Sequence, residues 1–135
     1  MKKTQIQKFL LYTFCISHFI LGTIAFLGGP NLSEMITLVY GAELEVDPQL
    51  TYIARMFGAY MLTVGFLAIL PIKDPVKYKG IINGAILLLV LRVLQRLLFA
   101  AQIHEAFGVS YSRIILNGIF FFLLAVAMYV SSRKK

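Results

Sequence analysis

Four long apolar stretches dominate the 135-residue chain and constrain its fold. They cover about residues 9–29, 49–70, 80–102 and 112–130, each close to the 20 or so residues that an α-helix needs to cross a bilayer. Charged residues make up 14% of the chain, against roughly 25% in soluble domains. We therefore predict an all-α fold: one integral membrane domain that forms a four-helix transmembrane bundle.

The first stretch has a basic start, Lys2, Lys3 and Lys8, as a signal peptide also would. Its apolar run exceeds the roughly 7–15 residues typical of a signal-peptide core, and it ends in Gly28-Gly29-Pro30 without a clear cleavage site. We therefore expect a retained membrane span rather than a cleaved leader.

Between the first two stretches, apolar residues recur at helical spacing. These residues are Leu32, Met35, Ile36, Val39 and Tyr40. The spacing i, i+3, i+4, i+7, i+8 predicts one apolar face of a short amphipathic helix in the first extracytoplasmic loop, and Gly41 is a plausible stop for it.

Other helix ends have local signals. Asp47-Pro48 and Asp74-Pro75 are predicted helix starts, because aspartate caps free N–H groups and proline tolerates the first helical position. Pro71 is predicted to end the second span, and Gly108 to end the helix that continues the third.

Small residues in two of the stretches predict where neighbouring helices approach closely. They are Ala54, Gly58 and Gly65 in the second stretch and Gly80 and Gly84 in the third.

The charge distribution predicts the orientation. Nine Lys or Arg and one acid, Asp74, lie at the termini and in the 73–79 connection, whereas the other two connections hold five acids. The positive-inside rule then places both termini in the cytoplasm, as expected for a multi-pass protein of the cell inner membrane. Because this topology accounts for the net charge of +7, no nucleic-acid partner is expected.

Arg92 and Arg96 stand four residues apart inside the third stretch and share one helix face. A guanidinium facing lipid near the centre of a span costs about 2.5–3.5 kcal/mol. At about 1.5 Å per residue, His18 lies near the level of Arg92, Arg55 near that of Arg96, and Asn117 in the same outer half. The candidate ligand-binding residues are Arg55, Arg92, Arg96, Asn117, His18, Gln95 and Tyr60.

No acidic residue lies within a span, so the partner of these arginines is open between two hypotheses. In the first hypothesis, the acidic first loop, with Glu34, Glu43, Glu45 and Asp47, folds back onto the arginines and forms a buried ionic network with them. Alternatively, the arginines bind an anionic ligand such as a lipid, a quinone head group or a carboxylate, which the guanidinium fork matches.

The second and third stretches carry a pattern that reads Ala54-Arg55-x-x-Gly58-x-x-x-Leu62-x-x-Gly65, then Asp74-Pro75, then Arg92-x-x-x-Arg96. It resembles small four-helix bacterial membrane proteins of the DoxX-like group and neighbouring families of unknown function. The resemblance implies a left-handed bundle in the cytoplasmic membrane and a subunit role in quinone- or thiol-related redox systems. Cys15 is the single cysteine, so this chain lacks a paired thiol, and no catalytic residue carries over.

The function predicted from the sequence is that of a small, non-enzymatic membrane protein. It either binds an anionic amphiphile in an arginine-lined pocket in the outer half or serves as an accessory subunit with protein partners in the membrane. The alternative is a membrane subunit of a redox or lipid-modifying enzyme. Membrane lipids are expected partners, and the sequence indicates no catalytic residues, no metal site and no particular cofactor.

Overall fold

The computed structural model describes residues 3–42 and 44–133, and all regular structure within them is helical. The elements are α1 (Lys3–Leu27), α2 (Pro30–Tyr40), α3 (Pro48–Leu67), α4 (Ile69–Lys73), α5 (Lys79–Leu98), α6 (Ala100–Phe107) and α7 (Tyr111–Ser132). Four segments are long and apolar enough to cross a membrane: Gln5–Leu27, Pro48–Lys73, Lys79–Leu98 and Tyr111–Ser132. The all-helical fold and its four long apolar helices confirm that part of the prediction.

The connection before α3 folds as its local signals predict. In α2, Leu32 and Ile36 are buried on the expected face, and Gly41 ends the helix in the left-handed conformation. The Asp47 carboxylate accepts a hydrogen bond of 2.6 Å from the Leu50 N–H, while Pro48 occupies the first position of α3. This N-cap uses one of the loop carboxylates that could otherwise have paired with an arginine.

Two of the predicted helix ends differ in the structure. Pro71 does not end the second span: α3 stops at Leu67, and α4 places Pro71 in a new first turn, where the missing N–H has no helical partner to lose. Asp74 does not directly start the third span. Its carboxylate accepts from the Val76 and Lys77 N–H groups and so holds a turn that precedes α5.

The long helices pack as two pairs. α1 packs against α3, α5 packs against α7, and the pairs meet through α1 and α7, whereas α3 and α5 make no substantial contact with each other. Gly22 and Gly58 lie where α1 and α3 approach most closely: a Cβ at Gly58 would lie 2.7 Å from the Gly22 oxygen. Gly80 and Gly84 do not serve this purpose, because a Cβ on either meets no atom within 4 Å.

Two separate apolar clusters fill the bundle. The first joins α1, α4, α5 and α7 toward the 74–78 turn, and includes Phe14, Ile72, Leu89 and Met128. The second lies at the opposite end, called here the α2 end, where Leu32 and Ile36 pack with Val109 and Ile114.

Candidate functional site

A cavity of about 760 Å³ lies between the two pairs of helices, on the side where α3 and α5 make no substantial contact. α3 and α5 form its walls, α2 covers it, and side chains of α1 and α7 reach its inner surface. Phe57 and Tyr60 of α3 and Leu91 of α5 line it while 62%, 65% and 52% exposed. Because these residues are exposed, the cavity opens sideways, between the two helices.

Five of the seven candidate residues line this cavity: His18, Tyr60, Arg92, Gln95 and Arg96. Of the five residues that the depth estimate placed in the outer half, three line the cavity: His18 on α1 and Arg92 and Arg96 on α5.

The other two candidates, Arg55 and Asn117, are not among the lining residues. Arg55 is exposed on α3 and lies near Gly28. Asn117 is partly buried on α7, and its amide nitrogen has no hydrogen-bond partner within the described chain.

The two arginines share one aromatic contact. The guanidinium carbons of Arg92 and Arg96 lie 5.3 and 5.6 Å from the centre of the Phe121 ring. Such cation–π contacts contribute about 0.5–2 kcal/mol each but neutralise no charge. Among residues 3–42 and 44–133, neither guanidinium forms an ion pair or a hydrogen bond with a protein group.

The buried ionic network proposed for the acidic loop is therefore not formed by its described members, Glu34, Glu45 and Asp47. Glu43 lies outside the described residues. The cavity thus contains two permanent positive charges and, on its described lining, no negative one.

His18 sits at the base of the cavity and is 6% exposed. Its Nδ1 lies 2.8 Å from the Phe14 carbonyl oxygen, and because a carbonyl only accepts, Nδ1 carries the proton. Its ring also stacks against that of Phe14, with 4.0 Å between centroids. Nε2 is buried without a partner in the described structure, so His18 is a fixed polar group beside the arginines.

Among the cavity residues that were not candidates, Phe121 and Tyr40 lie beside the arginines. The helical spacing after the first stretch places Tyr40 on the apolar face of α2, and Phe121 is not among the candidate residues. The sequence does contain a signal for Phe121. Small or apolar residues recur every three or four positions along one face of the fourth stretch, which is typical of a buried helix face. These residues are Ile114, Gly118, Phe121, Ala125 and Met128.

Arg113 is a third residue whose role sequence reasoning missed. Its guanidinium donates to the carbonyl oxygens of Leu38, at 2.5 Å, and Thr37, at 3.4 Å. The Thr37 carbonyl already accepts from the Gly41 N–H, so the main effect of Arg113 is to satisfy the Leu38 carbonyl in the last turn of α2. Arg113 thus ties the cover of the cavity to α7.

This tether leads to a prediction for Gly41. Both Gly41 and Gly108 have positive φ, 73° and 65°, so alanine costs about 1–2 kcal/mol at either position. A Cβ at Gly41 would also lie 2.5 Å from Arg113 Cδ, whereas one at Gly108 meets nothing within 4 Å. We expect Gly41→Ala to lose at least about 1.5 kcal/mol more than Gly108→Ala, because it displaces a charged donor.

Unfolding of the two variants in detergent measures this difference. The difference should disappear when both substitutions are made in an Arg113→Ala background. Equal losses in the wild-type background would contradict a structural role for Arg113.

A second cavity, of about 310 Å³, adjoins the first at the α2 end. The two share lining residues, among them Tyr40, Gln95 and Arg96, and the second continues toward α6. Arg96 therefore lies where the first cavity, between α3 and α5, meets the second cavity, near the α2 end.

The cavity combines apolar walls with a few polar side chains. Among the described residues, no three His, Cys, Asp or Glu side chains are grouped closely enough to hold a metal ion. A largely apolar cavity of several hundred Å³ with a few converging polar groups is typical of small-molecule sites.

Comparisons with protein-family models, curated proteins and solved structures find no match for this chain. The resemblance to the DoxX-like group stays a prediction.

Proposed function

We propose that this chain is an integral membrane four-helix bundle that binds an anionic amphiphile between α3 and α5. The observation that carries the proposal is the pairing of Arg92 and Arg96 in a cavity whose described lining contains no acid. Intramembrane ionisable residues normally pair with each other or mark a ligand pathway. Because Arg92 and Arg96 have no acidic partner in the described part of the chain, we infer that an anionic ligand neutralises them.

The shape of the site suits an amphiphile. The cavity is apolar along α3, through Ile53, Phe57 and Val64, while the charged groups are on α5. A molecule with an anionic group at the arginines can therefore place an apolar chain along α3. Because the opening lies between two spanning helices, such a molecule enters from the bilayer.

The orientation that we propose follows from charge. Basic residues flank the turn between α4 and α5, where Lys73, Lys77 and Lys79 lie, and this side is then cytoplasmic. In that arrangement both termini are cytoplasmic, the protein lies in the cell inner membrane, and the α2 end faces outward. The arginines then belong to the outer half of the bilayer.

Lipid binding to the purified protein tests the proposal. In uncharged detergent, phosphatidylglycerol and oleate should raise the melting temperature, and phosphatidylcholine should not. In an Arg92→Gln/Arg96→Gln variant the affinity for these lipids should fall by about a hundredfold or more, since two charge-assisted interactions of about 1.5–3 kcal/mol each are lost. Native mass spectrometry of the same samples counts the bound molecules.

Two controls separate the cavity from general attraction to a basic protein. Arg55→Gln removes an exposed arginine outside the cavity and should leave binding unchanged. Ala54→Trp keeps every charge but fills part of the cavity, which Ala54 lines, and should weaken binding. Binding that survives both the double variant and Ala54→Trp would contradict the proposal and favour a role as an accessory subunit.

A further inference from the structure

The number of charges in the cavity points to the kind of anion that fits it. Arg92 and Arg96 are both permanently protonated, so the described lining carries two positive charges and no acid. A single carboxylate or phosphodiester neutralises one of them. The second would remain without a partner in an apolar space, which is costly.

The placement of the arginines allows one group to meet both. They are one helical turn apart on α5, where Cβ atoms are about 5–6 Å from each other. Both guanidinium carbons lie against the same Phe121 ring, at 5.3 and 5.6 Å from its centre. Phe121 holds the two guanidiniums to one region of the cavity, and their N–H groups form no hydrogen bond within the described chain.

We propose that the preferred ligand is an amphiphile ending in a phosphomonoester, whose dianion meets both guanidiniums at once. This inference rests on the proposed function and names the class of anion. A phosphomonoester carries about −1.5 to −2 charges at neutral pH and has three acceptor oxygens. It thus matches two forked donors in charge and in number of acceptors. A carboxylate has one charge and two oxygens.

The surroundings agree with a terminal phosphate. His18 Nε2 and Gln95 add polar groups beside the arginines, and Tyr40 of α2 lies beside Arg96. The Gln95 amide and the Tyr40 hydroxyl can donate to a dianion, whereas Nε2 of the neutral His18 ring, with the proton on Nδ1, only accepts and offers the dianion no hydrogen bond.

The experiment compares lipids that differ in the head group alone. Phosphatidic acid, a phosphomonoester, should bind wild-type protein at about pH 8 at least about tenfold more tightly than phosphatidylglycerol, a phosphodiester with the same acyl chains. Its affinity should fall severalfold between about pH 8 and about pH 5, across the second phosphate pKa of about 6. Phosphatidylglycerol affinity should be unchanged over that range.

Arg96→Gln supplies the matched variant. With one cation left, the preference for phosphatidic acid over phosphatidylglycerol and its pH dependence should both disappear. A variant that merely weakened the fold would lower both affinities and keep their ratio. Arg55→Gln should preserve the ratio, because Arg55 lies outside the cavity.

The outcomes separate this inference from the proposed function. Equal, arginine-dependent binding of phosphatidic acid and phosphatidylglycerol would overturn the phosphomonoester and leave anion binding intact. So would cardiolipin, with two phosphodiesters, binding as tightly as phosphatidic acid at every pH. Absence of arginine-dependent binding by any of these lipids would overturn both.

A last arm identifies the source of the phosphate. Glycerol 3-phosphate and inorganic phosphate carry the same group without an acyl chain. Competition by these soluble anions at concentrations near those of the lipid would assign the site to a free phosphate ester. Binding restricted to phosphatidic acid would assign it to a membrane lipid.

Discussion

Gly58→Ala is expected to destabilise the folded protein by about 2–3 kcal/mol, although alanine is the better helix former. A Cβ on Gly58 would lie 2.7 Å from both the Gly22 oxygen and the Phe26 Cα. These are backbone atoms of α1, so no side-chain rotation relieves the overlap. The helices α1 and α3 must separate, and with them one wall of the cavity.

The single cysteine provides the measurement. Cys15 is 6% exposed, and its thiol donates to the Gly65 carbonyl oxygen across the interface between α1 and α3. A maleimide that fluoresces on reaction should therefore label Cys15 as the two helices come apart on heating. Gly58→Ala should advance this labelling to a lower temperature.

Gly84→Ala is the matched control, since a Cβ at Gly84 meets no atom within 4 Å. It should be neutral or stabilise α5 by up to about 1 kcal/mol. Equal effects of the two substitutions would contradict the close approach of α1 and α3.

Arg92→Leu is expected to have opposite effects with and without ligand. In ligand-free protein the unfolded chain exposes Arg92 to water, whereas the folded state holds it in the cavity without an acid partner among the described residues. Intramembrane burial costs about 2.5–3.5 kcal/mol and the Phe121 contact returns about 0.5–2. We therefore expect the leucine variant to be about 1–2 kcal/mol more stable than wild type.

A saturating anionic lipid should reverse that order. At a concentration about a hundred times the Kd, ligand stabilises wild type by about 2.7 kcal/mol. The variant, lacking one guanidinium, gains little. Denaturation in detergent with and without lipid measures both values, and Arg55→Leu should respond to lipid as wild type does. An Arg92→Leu variant that is less stable under both conditions would identify Arg92 as a structural residue instead.

How far the site could be predicted depends on what a sequence reports about each residue. Spacing places Arg92 and Arg96 on one face, and counting residues from the ends of the spans gives the height of His18. Height alone does not give the direction in which a side chain points. The residue count predicts that Arg55 on α3 is level with Arg96, yet Arg55 lies outside the cavity that its neighbour Ala54 lines, because successive helical residues point about 100° apart.

The cavity itself was beyond the reach of sequence reasoning for a different reason. Apolar periodicity shows which face of a helix is buried but does not name the helix that covers it. Nothing in the stretches 49–70 and 80–102 indicates that α3 and α5 pack apart. The hydrogen bond from Arg113 to the Leu38 carbonyl also joins residues that are distant in sequence, and no local sequence pattern predicts it.

The pairing of the helices has a consequence for assembly. α1 and α3 come from the first half of the chain and α5 and α7 from the second, so the molecule consists of two hairpins that follow one another during synthesis. The helices of the first hairpin can pack against each other before the second hairpin has been synthesised. A ligand between α3 and α5 would contact both hairpins. Its binding would then stabilise the packing of one hairpin against the other.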